Sequence, residues 1–169
     1  MGTHFNLVSA AAVILLLSGC QGETSSNGNP GNADGYHLIA TTNDGTGSFD
    51  HAAQSSITVS GQLYMISVVS LELSSPGRQF NITAYSTGDP TGQTLSFEMP
   101  AGVASGGYGR SMGSDPGTYS TALSGGTGTV TFTSCVPGSN TAKGTFSFTA
   151  VRSPPGNGTV TVTNGTFGN

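Results

Sequence analysis

The sequence has little charge and no tryptophan. Only 7% of its 169 residues are charged, with 4 Lys and Arg, 8 Asp and Glu and a formal net charge of −4. So few cations exclude the basic face that nucleic-acid binding requires, and the small net charge excludes a chain kept disordered by self-repulsion. The scarcity of Glu and Lys excludes a coiled coil. What is present, 27 glycines with many serines and threonines, indicates a neutral β protein.

Long hydrophobic runs are also scarce, and the longest lies near the start. Residues 10–17 read AAAVILLL, which is too short for a helix across about 30 Å of bilayer and fits the apolar region of a secretory signal peptide. Residues 17–20, LSGC, follow directly and resemble the lipobox of bacterial lipoproteins. The resemblance implies cleavage before Cys20 and attachment of several acyl chains, palmitate included, to that residue. The first six residues lack Lys and Arg, which departs from the usual signal-peptide start.

A segment without core-forming residues follows Cys20. Residues 21–35 read QGETSSNGNPGNADG, which is typical of a flexible linker with an extended reach of about 50 Å. Gln21 rather than Asp follows the cysteine, and the resemblance to sorted lipoproteins then implies the outer membrane. We therefore expect a signal peptide at 1–19, a lipidated Cys20 with its linker at 20–35, and one domain at 36–169.

From residue 36 onward, apolar residues alternate with polar, mostly hydroxyl-bearing ones. Clear examples are FNITA at 80–84, FSFTA at 146–150 and VTVT at 160–163. One dry and one wet face is the pattern of antiparallel strands. With turn signals between these runs and no convincing helix, the sequence predicts an all-β fold. The predicted architecture is an antiparallel β-sandwich, immunoglobulin-like or a similar Greek key, of about seven to nine strands.

Residues 63–73 form a longer apolar stretch in which the alternation slips. Such a slip predicts either one strand with a bulge or two strands joined tightly.

The C-terminal third of the chain carries a more specific resemblance. GTVTFT at 128–133, KGTFSFTA at 143–150 and GTVTVTNGTF at 158–167 are similar to a family of small β-rich lipoproteins of Bacteroidetes and related bacteria. The upstream segments 79–86, 94–99 and 117–119 fall in the order that this family shows. The family has no assigned activity, so the resemblance implies a fold and an envelope location and transfers no catalytic residue.

Few groups of residues in the sequence could form a catalytic site. The adjacent Asp50 and His51 have three serines nearby in sequence, namely Ser48, Ser55 and Ser56. A fold could bring such residues into a Ser-His-Asp site, but a solvated loop is the favoured interpretation because no Gly-x-Ser-x-Gly elbow occurs. We expect no catalytic residue and no enzyme activity.

Metal ligands are equally sparse. Residues 43–47, NDGTG, with Asp50 resemble an oxygen-rich calcium loop only faintly, and a tight turn is the favoured interpretation. His37 and His51 lack a third ligand for zinc. We expect no metal and no cofactor.

Cys135 is the second of the 2 cysteines. If Cys20 is lipidated, the mature chain has no partner for an intramolecular disulfide. The sequence around Cys135 places it facing outward or at a strand end, and a small packed hydrophobe is the favoured interpretation.

A glycine-rich stretch at 102–117, GVASGGYGRSMGSDPG, predicts a flexible surface loop. It lacks the Gly-x-x-x-x-Gly-Lys pattern of phosphate-binding loops. Because binding residues concentrate in loops on rigid scaffolds, Tyr108, Arg110 and Met112 are candidate recognition residues at one end of the sandwich.

Together these features predict a lipid-anchored cell-envelope protein with a binding or structural role. One alternative is a surface carbohydrate-binding or adhesion module, in which sugars would stack on tyrosines 64, 85, 108 or 119. The others are an envelope hydrolase and a self-assembling subunit with an open edge strand. The expected partners are the membrane, through the lipid on Cys20, and an unidentified glycan or protein ligand, but no nucleic acid.

Overall fold

The computed structural model describes residues 35–97, 104–112 and 116–168. Within them the all-β prediction is confirmed, and the single helical element is the 3₁₀ turn Pro137–Ser139. The ten strands are β1 His37–Thr42, β2 Gly47–Ser60, β3 Leu63–Leu71, β4 Arg78–Thr87, β5 Thr94–Ser96, β6 Ala104–Arg110, β7 Gly117–Ser120, β8 Thr127–Val136, β9 Thr141–Arg152 and β10 Thr159–Gly168.

The strands form one antiparallel sheet that closes on itself. The hydrogen-bonded order is β10-β1-β2-β3-β4-β6-β7-β9, and β9 pairs back with β10, so eight strands complete a barrel. β8 branches from this ring by pairing with residues 141–149 of β9, and β5 pairs with β8. This single closed sheet differs from the predicted two-sheet sandwich. Alternation reports which side chains face inward, and it does not report whether the edge strands meet.

The inward side chains fill most of the barrel with apolar groups. We call five of these rings the aromatic core, namely Phe97, Phe132, Phe146, Phe148 and Phe167, each less than 5% exposed. The Phe146 and Phe148 rings stack with centroids 6.0 Å apart. A Cβ at Gly144 would lie 2.2 Å from the Thr131 carbonyl oxygen and 2.8 Å from the Phe167 ring, so this packing requires glycine there.

β1 covers only part of the longer β2, and other hydrogen bonds fill the remaining gap. β1 pairs with residues 47–52 of β2. Farther along, the Ser55 hydroxyl donates to the Asn140 carbonyl at 2.6 Å and accepts from the Ala142 N–H at 3.2 Å. The Ile57 N–H donates to the Asn140 side chain at 3.3 Å. These bonds join β2 to the start of β9, which is not its neighbour in the ring.

β3 contains most of the apolar stretch in which the alternation slips. It pairs with β2 and β4 without a register shift, so both the bulge and the strand-pair predictions are wrong. Ile66 and Val68 face the core, whereas Val69 and Leu71 face outward and are 37% and 52% exposed. The alternation slips because this strand is apolar on both faces.

Cys135 faces inward near the end of β8. A register shift between Phe132 and Ser134 changes which residues face the core, and Cys135 is buried. Burial raises the pKa of its thiol to about 11. The interpretation of Cys135 as a small packed hydrophobe is therefore supported. Cys20 lies outside the described residues.

Candidate functional site

One end of the barrel interior is polar rather than apolar. The turn between β1 and β2, the residue after β3, the start of β4 and the end of β6 meet there. We call the group they form the polar end, and its members are Thr42, Asp44, Thr46, Glu72, Arg78, Tyr108 and Arg110. It is the candidate site because it concentrates two acids and two cations of a chain that has only 8 and 4 of them.

Glu72 and Arg78 form a buried ion pair in this group. The Arg78 Nε donates to Glu72 Oε2 at 2.8 Å, and the two side chains are 6% and 8% exposed. The guanidinium also lies 5.1 Å from the centre of the Phe49 ring and donates to the Ser48 carbonyl at 3.0 Å. The His51 Nε2 lies 3.1 Å from Glu72 Oε1. Hydrogen bonds from Arg78 outweigh burial and hold the pKa of Glu72 below its ordinary value.

Asp44 lies in the turn between β1 and β2 and accepts hydrogen bonds from three hydroxyls. Those of Thr42, Thr46 and Tyr108 lie at 2.7, 2.6 and 2.5 Å. The Arg110 Nη1 lies 3.5 Å from its Oδ2. Burial opposes the charged form of Asp44, but the hydrogen bonds outweigh it and lower its pKa to about 2. The NDGTG segment is thus a hydrogen-bonded turn whose carboxylate is occupied by donors of the protein itself.

The predicted recognition residues lie in different environments. Residues 104–110 form β6, which pairs with β4 and β7, so the loop prediction is wrong for Tyr108 and Arg110. Tyr108 is 2% exposed and the Arg110 side chain 10%, whereas Met112, just beyond β6, is 42% exposed. The glycines of this strand hide the alternation of apolar and polar side chains that would have predicted it. A Cβ at Gly106, for example, would meet the Phe148 ring at 2.8 Å.

A groove of about 400 Å³ opens beside the polar end. Leu71, Gln79, Arg110 and Thr118 are among its lining residues. Gly109 also lines it, and a Cβ at this position would have no neighbour nearer than 3.8 Å. The groove is a concave surface at which Arg110 borders neutral and apolar groups. A recognition role for Tyr108, Arg110 and Met112 stays a prediction.

The Asp50, His51 and serine constellation is not brought together. Asp50 and His51 are neighbours in β2, and successive strand residues face opposite sides of a sheet. Asp50 contacts His37 on the outside at 2.6 Å, whereas His51 contacts Glu72. The Ser55 hydroxyl is bound to residues 140 and 142.

The buried polar side chains of the described ranges are all hydrogen-bonded. No buried side-chain nitrogen or oxygen there lacks a hydrogen-bond partner. Within the same ranges, no three His, Cys, Asp or Glu side chains are grouped as metal ligands. The geometry of the polar end therefore supports closure of the barrel end, because its charges are directed at each other.

Sequence reasoning missed Glu72 and Arg78, although a signal for them was present. The inward positions of β3 run Ile66, Val68, Ser70, and the next position of this series is residue 72. The inward series of β4 begins at Arg78, two residues before Phe80. Opposite charges at the inward positions of two adjoining strands would have predicted a buried ion pair.

No family model, curated protein or solved structure matches this chain. In the part of the chain that the structure describes, no helix combines the length and the apolar character needed to cross a membrane.

Proposed function

We propose that this protein is a lipid-anchored protein of the cell envelope, held at the outer membrane, whose β domain has a binding or structural role. The observation that carries the proposal is LSGC at 17–20 directly after AAAVILLL, with a linker-like segment following. The fold is compatible with this arrangement, because the first of the described strands begins at His37, after the linker-like segment. The resemblance of the C-terminal third to small β-rich lipoproteins supports the same location.

The chemistry of the domain favours binding or structure over hydrolysis. Burial raises the pKa of Cys135 to about 11, and burial together with Asp44 raises the pKa of Tyr108. Both groups are therefore neutral at physiological pH, where a nucleophile needs a lowered pKa or an adjacent base. The acids of the polar end are held by Arg78 and Arg110.

We further propose that the barrel is flattened, so that its walls pack face to face as in the sandwich predicted from the sequence. The hydrogen bond from the Ser55 hydroxyl on β2 to the Asn140 carbonyl just before β9 supports this, since β2 and β9 are not neighbours in the ring.

The second candidate function, carbohydrate binding, depends on Tyr85. Of the 5 tyrosines, three are buried and Tyr64 packs against the core, whereas Tyr85 is 47% exposed. Stacking on a sugar needs an exposed ring face. A glycan array should then show binding that Tyr85→Ala abolishes and Thr83→Ala, on the same outer face, retains. An array without binding removes this candidate.

Acyl labelling tests the lipid anchor. In a bacterium that processes lipoproteins, the full chain should incorporate an alkyne-tagged palmitate and fractionate with the outer membrane. Cys20→Ala should lose the label. Cys135→Ala is the matched control and should keep it, because the chain has only 2 cysteines. An unlabelled wild type, or label retained in Cys20→Ala, contradicts the proposal.

Protease treatment of intact cells then determines the orientation. Removal of the domain from intact cells indicates that it faces outward, where an external ligand is relevant. Protection until the envelope is opened indicates that it faces the periplasm and favours a structural role.

A further inference from the structure

β3 carries a line of apolar side chains on the outside of the barrel. We call it the β3 ridge, and its members are Leu63, Met65, Val69, Leu71 and, just beyond the strand, Leu73. Ser67 is the one polar residue among the outward positions of β3. Leu63, Leu71 and Leu73 are 38%, 52% and 80% exposed. At about 3.4 Å per residue, the ridge is about 30 Å long. Tyr85 on β4 lies opposite Met65 and extends it sideways.

Residues 52–60 of β2 and 79–87 of β4, on either side of the ridge, contribute no charge to this surface, and the exposed Asp50 just before that part of β2 is paired with His37. The outward positions of β2 from residue 52 to 60 are Ala, Gln, Ser, Thr and Ser, and those of β4 from 79 to 87 are Gln, Asn, Thr, Tyr and Thr. Exposed apolar surface bordered by polar groups marks an interaction site. Covering the ridge from Leu63 to Val69 would desolvate no charged side chain of β2 or β4, so the polar cost of burial there is small. Beside Leu71 the nearest charge is that of Arg110, which lines the same groove.

The opposite wall shows that the ridge is not a general property of this barrel. The outward residues in the middle of β8, β9 and β10 are hydroxyl-bearing, such as Thr129, Thr145 and Thr161. The same fold therefore presents one apolar and one hydroxylated face.

We propose that the β3 ridge lies against the lipid bilayer that carries the protein's own anchor. This inference rests on the proposed function. The segment between Cys20 and Gly35 has an extended reach of about 50 Å, so the anchor keeps the domain beside the bilayer. A tethered partner is present at a high effective concentration, which favours the bilayer over any diffusing occupant.

The contact is hydrophobic rather than electrostatic. The strength of an interfacial contact scales with the apolar area that it buries, and the ridge supplies this area. The chain has a net charge of −4, which gives no attraction to anionic lipid. The contact should therefore be insensitive to salt, in contrast to a polybasic surface.

The absence of tryptophan gives a direct test. Because the chain contains 0 Trp, Leu71→Trp places one tryptophan on the ridge, and Thr145→Trp places one on the hydroxylated face. Each lipidated full chain is reconstituted in phosphatidylethanolamine–phosphatidylglycerol vesicles that contain brominated phospholipid. Leu71→Trp should lose most of its emission and shift to shorter wavelength at low and high salt, whereas Thr145→Trp should do neither. Equal emission from both reporters overturns the proposal.

A second substitution links the effect to the ridge. Adding Val69→Asp to Leu71→Trp should restore the emission, because a charge beside the reporter opposes insertion. Adding Ser147→Asp on the hydroxylated face should leave the quenching unchanged. If a folded chain with Val69→Asp is still quenched, the proposal is contradicted. A short-wavelength shift that occurs without lipid and grows with protein concentration also contradicts it, because the ridge then contacts a second copy of the chain.

The test also separates the ridge from the anchor. With Cys20→Ala, Leu71→Trp should still be quenched, but only at higher vesicle concentration, because the tether no longer supplies proximity. If Cys20 is not acylated but Leu71→Trp is still quenched, the proposed anchor is wrong and the proposed ridge contact stands. An acylated chain with Leu71→Trp unquenched overturns the ridge contact alone.

Discussion

The barrel interior has two regions that depend on different interactions. The aromatic core is held by ring contacts such as that of Phe132 and Phe167, with centroids 5.7 Å apart. The polar end is held by the Glu72–Arg78 pair and by the hydrogen bonds of Asp44. Apolar cores tolerate exchanges that conserve volume, whereas breaking a buried ion pair leaves an uncompensated charge. A small chemical change at the polar end should therefore cost more free energy of unfolding than a larger one in the aromatic core.

The largest effect should come from Glu72→Gln. This substitution keeps the shape of the side chain but leaves the Arg78 guanidinium, 6% exposed, without its counter-charge. We expect a loss of about 3 kcal/mol in the free energy of unfolding at pH 7, measured by urea denaturation.

Two variants control this prediction. Combining Glu72→Gln with Arg78→Met should recover most of the loss, because no buried charge then remains. Asp50→Asn, which breaks the exposed pair with His37, should cost less than about 1 kcal/mol. A loss from Glu72→Gln as small as that from Asp50→Asn would show that the buried pair does not support the polar end.

The second effect is a pH dependence that originates in Asp44. Its pKa falls from an ordinary 3.8 to about 2 in the folded protein. A carboxyl with a lowered folded pKa stabilises the protein above about pH 4, and this contribution is lost as the pH falls towards 2. Asp44→Asn should therefore reduce the free energy of unfolding at pH 7 by about 1–2 kcal/mol.

The same variant should change the shape of the acid profile. Between about pH 4 and 2 its stability should fall less steeply than that of the wild type, since one of the titrating groups is gone. The lowered pKa of Glu72 acts in the same direction and should leave part of the slope. Parallel profiles for the two proteins would mean that Asp44 is not held as the charged form.

The third and smaller effect is that of Phe132→Leu in the aromatic core. Leucine conserves most of the volume, so we expect a loss of about 1 kcal/mol in the free energy of unfolding. Denaturation of this variant beside Glu72→Gln compares the two regions directly. If Phe132→Leu is the more damaging of the two, the contrast drawn between them is wrong.

The smallest effect should come from the outer hydroxylated face. Thr145→Ala removes an exposed hydroxyl and methyl group, and we expect a change within about 0.5 kcal/mol. A loss comparable to that of Phe132→Leu would place the outer threonines among the groups that stabilise the barrel.

Alternation in the sequence predicted the strands but not the closure of the sheet. Runs such as VTVT at 160–163 show the inward and outward faces because each side of the strand meets one environment. In β3 the alternation is hidden because both faces are apolar, and in β6 it is hidden because the glycines supply few side chains to alternate. β9 and β10 are consecutive strands that pair locally, but closure of the ring also needs the pairing of β1 with β10, which joins distant parts of the chain and leaves no periodic signal.

The candidate site was harder to predict than the strands. Glu72 and Arg78 lie at the adjoining ends of β3 and β4, only six residues apart, but Asp44, Tyr108 and Arg110 are distant in sequence, and only the barrel brings these three to the same end. Arg110 and Tyr108 were singled out for a different reason, as members of a loop, and the structure places them at the end of β6. Side chains that meet through sheet closure have no fixed spacing in the chain.

The anchor at Cys20 is the central functional claim, and the intact mass of the mature protein tests it most directly. Protein extracted from the membranes of a lipoprotein-processing bacterium should begin at Cys20 and carry the added mass of a diacylglyceryl group and an amide-linked acyl chain. A peptide from its amino terminus should place both groups on that residue. A chain that begins elsewhere, or a Cys20 with a free thiol, would contradict the account.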